Sequence, residues 1–281
     1  MRIAPALPCE TTRSRWAGIS AALTVSGRNQ SSQKPVFSMN NVSAAAALTK
    51  RFRRTCLIDD DDLAALNALS ISLRRVKSNE VIVRTGDRPS HCCVLIDGFI
   101  IRAKNTAEGQ RQIIAIHQPG DIPDLQSLFL HVLDHDVIAA GDCQIGFIPH
   151  DQMRALIKVR PNVAAALWRD TLIDAAIFRE WIVNVGRRSG PSRLAHLSLE
   201  IFTRLRLIDR TEGNQFRLPL TQVQMGEAIG MSAVHVNRIL QAFRRDGVLD
   251  FERGTAYILD EDRLRELGGF DPLYLHLDPA L

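Results

Sequence analysis

Residues 220–249 read LTQVQMGEAIGMSAVHVNRILQAFRRDGVL, and this stretch decides the fold of the second half of the chain. Thr221 suits the N-cap of a helix running to about Ile229, because its hydroxyl can accept from an unpaired N–H of the first turn. Gly230-Met231 supplies a turn, Ser232 caps a second helix ending near Arg245, and Gly247 stops it. Gly226 is small where the two helices would cross. On the second helix Val236, Ile239, Leu240 and Phe243 recur at helical spacing as one apolar stripe. Ala233, Val234, Asn237, Arg238 and Gln241 fall on the opposite face. Side chains of these types reach base edges: arginine pairs bidentately with guanine and asparagine with adenine. Val248–Phe251 and Ala256–Leu259 then read as a hairpin turned at Arg253-Gly254. Two capped helices alone are common in small helical domains. With the glycine stop and the hairpin they predict a winged helix-turn-helix, whose second helix enters the major groove of double-stranded DNA.

Upstream, Arg193–Arg206 predicts an amphipathic helix, preceded by a break at Ser189-Gly190-Pro191 that forms a hinge with Gly186. Pro161 opens a run to about Val185 with no internal glycine or proline, in which Leu167, Ile173, Ile177 and Trp181 recur at helical spacing. A helix lying on its own domain would explain that stripe. A helix of about 25 residues spans nearly 40 Å, however, more than a small domain needs, so dimerisation along this helix is expected. Between Ser72 and Pro149 the texture is β-rich: Val81–Val83, Cys92–Ile96, Phe99–Ile101, Gln112–Ile116 and Gln144–Ile148 alternate with turns at Gly86, Gly98, Gly109 and Gly120. Even spacing of this kind predicts a barrel or sandwich. The acidic run Asp59–Asp62 suits the start of a short helix over Leu63–Leu69. The fold class expected is α+β. It comprises a disordered tail (1–45), a β domain (46–155), a dimerisation helix (156–188), the winged domain (189–270) and a C-terminal tail (271–281). The translation start, Met1 or Met39, is left open.

Composition sets the class. Of 281 residues, 46% are hydrophobic and 23% charged, which excludes a disordered or fibrous chain. No apolar run approaches the roughly 20 residues of a membrane span, so no membrane partner is expected. The net charge of +4 permits a polyanionic partner. The arginines gather around the winged segment: Arg187, Arg188, Arg193, Arg204 and Arg206 precede it, and Arg238, Arg244, Arg245 and Arg253 lie within it. Five cysteines, two of them adjacent (Cys92-Cys93) and none in a C-x-x-C pair, do not form a disulfide framework, and a reducing cytoplasm is expected. The chain shows no paired acid/base motif, no glycine-rich phosphate loop and no metal-spaced His/Cys set, so neither an enzyme nor a cofactor or metal is expected. Asp134-His135-Asp136 is the one tempting cluster, and a solvated loop explains it.

Over roughly Leu57–Leu259 these residues resemble the Crp/Fnr family of bacterial transcription regulators. The match runs through the quoted stretch and through Gly86, Gly98, Gly109 and the Gly120-Asp121 pair, at the family's mutual spacing. The resemblance implies a sensory β-roll of the cyclic-nucleotide-binding type, a long dimerisation helix and a homodimer on a palindromic operator, with RNA polymerase as partner. The family's base-reading positions fall on Ala233, Val234, Asn237 and Arg238, while Thr221, Ser232, Arg244 and Arg245 are expected at phosphates. Departures matter. Cyclic-AMP-binding members carry a glutamate where Leu125 stands, and an Arg-Ser pair in the region of Leu133-Asp134. A phosphate would meet carboxylates there, so the pocket is expected not to bind cyclic AMP, leaving the effector unknown. Cys9 and Cys56 do not supply the family's iron–sulfur ligands, and nothing marks His91 or His117 as a haem ligand. Valine at 234 replaces a common glutamate and would touch a thymine methyl, so the operator should differ from the usual half-site. A scaffold that keeps the fold without reading DNA is the rival expectation.

Overall fold

The computed structural model describes residues 42–55 and 58–277; most of the tail expected over 1–45, and Cys9 and Cys56, lie outside them. Helix α1 (Val42–Thr55) lays Leu48 and Phe52, one turn apart and each 1% exposed, onto the β domain. Helix α2 (Asp60–Asn67) starts at Asp59, whose carboxylate accepts from the Asp62 N–H while Asp62 returns the bond, a capping box built from the acidic run.

Seven strands follow: β1 (Ser72–Val76), β2 (Val81–Val83), β3 (His91–Asp97), β4 (Ile100–Asn105), β5 (Arg111–His117), β6 (Asp136–Ala139) and β7 (Cys143–Pro149). They form two antiparallel sheets, ordered β1-β7-β3 and β2-β6-β4-β5. Val76, Leu95, Ile100, Leu133, Val137 and Ile145 fill the space between the sheets. Gly86, Gly98, Gly109 and Gly120 all have φ between +81 and +94. Gly98 is doubly constrained, since a Cβ there would lie 2.6 Å from Cys143 Cβ. Two strands of the roll escaped sequence reading. Strand β1 is the arginine-rich edge segment SLRRV, and β6 is four residues long behind the Asp-His-Asp cluster.

Helix α3 (His150–Val159) and helix α4 (Pro161–Arg187) then form separate elements, the second opening at Pro161. Helix α5 (Gly190–Leu207) begins three residues after α4 ends, and Gly186 lies inside α4 rather than in the break. The hairpin β8 (Thr211–Glu212) and β9 (Gln215–Arg217) precedes helix α6 (Gln222–Ile229) and helix α7 (Ala233–Arg245). Strands β10 (Leu249–Glu252) and β11 (Thr255–Ile258) complete a sheet ordered β10-β11-β9-β8, and helix α8 (Glu261–Gly268) packs on α5. No described helix is long and apolar enough to cross a membrane.

The segment read as a C-terminal tail is docked as far as it is described. Its 3-10 turn Pro272–Leu275 packs on α4 and α5, with Leu275 4% exposed and the Tyr274 hydroxyl donating to Glu200 at 2.8 Å. One core joins the two halves of the chain. Ile101, Ile113 and Ile138 of the outer β-roll face belong to the same cluster as Trp181, Phe202, Met225, Val236 and Phe243.

Candidate nucleic-acid interface

The helix-turn-helix is built from local rules. Thr221 caps α6 in a capping box with Gln224, Gly230 takes φ +69 at its end, and the Ser232 hydroxyl accepts from the His235 N–H to start α7. Gly226 lets the turn fold back: a Cβ there would lie 2.3 Å from the Met231 carbonyl oxygen, which no side chain tolerates. Val236, Ile239, Leu240 and Phe243 are all buried, so α7 is fixed to the domain by one stripe and presents the other. On that outer face Val234 is 63% exposed, Arg238 and Gln241 are exposed, and Ala233 and Asn237 are half-buried. Asn237 donates from Nδ2 to Gln222 Oε1 at 3.1 Å, a link across the two helices that sequence reading missed.

The residues assigned to phosphates are already partly engaged. The hydroxyls of Thr221 and Ser232 serve as caps, Arg244 Nε bonds Asp250 Oδ1 at 2.6 Å, and Arg245 Nε bonds Asp246 Oδ1 at 3.1 Å. The hairpin turn carries two successive positive-φ residues, Arg253 (+50) and Gly254 (+79), the geometry that matches strand twist. It leaves Arg253 at the tip with a side chain 91% exposed, 3.6 Å from the Glu252 carboxylate. Arg210, Arg217 and Tyr257 line an open groove behind it.

The residues expected at an effector pocket do not converge. Leu133 is 1% exposed inside the roll, because the chain enters β6 with that side chain turned between the sheets. Asp134 faces solvent and pairs with Lys104 at 3.0 Å and His135 at 2.8 Å, which hold its carboxyl below the usual range. Leu125 alone borders the gap between the roll and α4. That gap is closed by charge. Asp121 accepts from Arg204 at 2.8 Å and from the Gln118 N–H at 3.1 Å, faces His117, and pairs with Arg51, which also reaches Asp170. Burial, and the positive charges of Arg102, Arg204 and Arg51, push His117 well down and keep it neutral. The space left is about 30 Å³, room for one water.

The stripe assigned to dimerisation packs within its own chain. Leu167, Ile177 and Trp181 are 6–7% exposed and Ile173 is half-buried, all against the chain's own cores. Trp181 Nε1 donates to both Glu200 oxygens at 3.1 Å, so it ties α4 to α5. The apolar residues α4 presents to solvent are Trp168 (66% exposed), Leu172 (51%), Ile182 (68%) and Val183 (45%). Sequence periodicity revealed the amphipathic helix, and the structure separates a buried stripe from these exposed residues.

A β-roll joined through a long helix to a winged helix-turn-helix defines a DNA-binding transcription regulator. The cyclic nucleotide-binding domain model matches residues 73–160 and the Crp-like helix-turn-helix domain model matches residues 192–267. The chain belongs to the Crp/Fnr family. It is 26% identical over 230 residues to the transcriptional activator protein FnrL of Cereibacter sphaeroides, covering 79% of this chain and 90% of the relative. It is 24% identical over 218 residues to the nitrogen fixation regulation protein FixK of Bradyrhizobium diazoefficiens, covering 76% and 90%. The solved structure of FixK2 from Bradyrhizobium japonicum superposes with a TM-score of 0.66 at 21% identity, over 72% of this chain and all of that one.

Proposed function

We propose that the protein is a cytoplasmic homodimer without enzymatic activity that binds a palindromic operator, inserts α7 into the major groove, and acts on RNA polymerase without a cyclic-nucleotide switch. The observation that carries this is the outer face of α7: Val234, Arg238 and Gln241 stand exposed on a helix anchored by four buried apolar residues. Arg238 reads guanine, and Asn237, Val234 and Ala233 read its neighbours, while Thr221, Ser232, Arg244, Arg245 and the wing-tip Arg253 lie toward the phosphates.

Dimerisation is supported by α4. Trp168, Leu172, Ala175 and Ile182 follow the alternating four-three spacing of a coiled-coil seam, with Arg179 at the remaining position. Two parallel copies put two recognition helices about one DNA turn apart, roughly 34 Å. Against cyclic nucleotide stand the small gap and the Asp121 ion cluster that closes it.

The test is selection of bound duplexes from a randomised pool by the purified protein, with and without cyclic AMP. A palindrome enriched equally in both is expected; enrichment only with cyclic AMP would sink the unswitched reading, and none in either would favour the scaffold alternative. Arg238→Ala should cost about 1–3 kcal/mol on the selected site and relax the preference at one position per half-site, as read by competition binding.

A further inference from the structure

Among the base-facing side chains of α7, Asn237 differs from Arg238 and Gln241 in having a hydrogen-bond partner within the described residues. Its Nδ2 donates to Oε1 of Gln222, a residue 15 positions away on the other helix of the motif. Gln222 is itself on a rigid mount. It is the first residue of α6, whose N-terminus is locked by the Thr221–Gln224 box and whose body is pressed to the turn at Gly226.

We propose that Gln222 is a positioning residue that makes Asn237 a reader of adenine. An unheld asparagine can rotate to offer a base either its carbonyl or its amide. With one amide hydrogen committed to Gln222, Asn237 retains one N–H donor and a carbonyl acceptor. That pair is the complement of adenine N7 and N6 in the major groove. A side chain held in advance also loses less rotational freedom when DNA binds. Selectivity at this position therefore resides in two residues, one of which touches no base. The inference rests on α7 being the base-reading helix.

The test uses full-length protein and a duplex recovered by the selection above, together with its single-base variants at each half-site position. Asn237→Ala and Gln222→Leu should each flatten an adenine preference at the same position by about tenfold, and the double variant should be no worse than Asn237→Ala. Gln222→Glu keeps the acceptor, so it should retain the preference while binding every duplex more weakly through its added charge. A merely structural strap would instead lower thermal stability and weaken all duplexes alike under Gln222→Leu, with the adenine preference intact; that result overturns the inference, as does Gln222→Glu behaving like Gln222→Leu. If Asn237→Ala changes nothing while Arg238→Ala shifts the preference, Gln222 is overturned and the recognition helix stands. If Arg238→Ala also changes nothing, the recognition helix itself is overturned.

Discussion

Asp124 has no exposed surface, and one carboxylate oxygen accepts from the Cys93 N–H at 2.7 Å. Burial raises its pKa from 3.8 to about 7, against the opposing pull of that bond and of Arg102. The folded chain therefore holds this proton more tightly than the unfolded chain does between those two values. The stability it contributes is full below pH 4 and is lost as pH rises through 7. Asp124→Asn removes the titration, so the thermal midpoint of the parent relative to this variant should fall from pH 4 to pH 8; a constant difference would contradict the buried acid. At this scale the sequence was readable where a side chain's role follows from helix periodicity, as for the outward Val234 and Arg238. It was unreadable where a side chain's direction depends on the path of a loop. Leu133 and Asp134 are adjacent in the bend before β6, and the path of that loop sends one into the roll and the other to solvent.

Helix α4 carries two apolar stripes with different tasks. Leu167 is packed in the cluster that includes Val163 and Met153, so Leu167→Ala should lower unfolding free energy by about 2–5 kcal/mol and leave the oligomeric state unchanged. Trp168 and Ile182 are 66% and 68% exposed in their own chain, so the pair Trp168→Glu and Ile182→Glu should yield a folded monomer by sedimentation with little loss of thermal stability. The opposite pattern would return the seam to the inner stripe. The helices that begin and end with strong chemical signals (Asp59, Pro161, Thr221, Ser232, Gly230) were legible, because caps act within a few residues. Elements that exist only through long-range pairing were not. Strand β1 pairs with β7 some seventy residues later, and β8–β9 joins the wing sheet through the Ala256–Phe216 pair, each without a distinctive local sequence.

The described residues belong to one compact unit, and polar contacts as well as core bind the β-roll to the reading domain. Arg111 grips Glu227 on α6 through Nε at 3.0 Å and Nη2 at 2.8 Å, Gln112 donates to the Ala228 carbonyl at 3.3 Å, and Gln118 donates to the Ile201 carbonyl at 3.1 Å. Arg111→Ala should speed amide exchange in α6 and cost roughly 1–2 kcal/mol, since Glu227 stays partly buried without its partner. Exchange unchanged in α6 would mean that the clasp is incidental.

The shared core has a further consequence for anyone handling this chain in pieces. A fragment cut at residue 189 would leave Trp181 behind and strip Glu200 of its indole donor. Grafted onto another sensor, the winged domain would carry apolar surface that the β-roll and α4 cover in the intact chain.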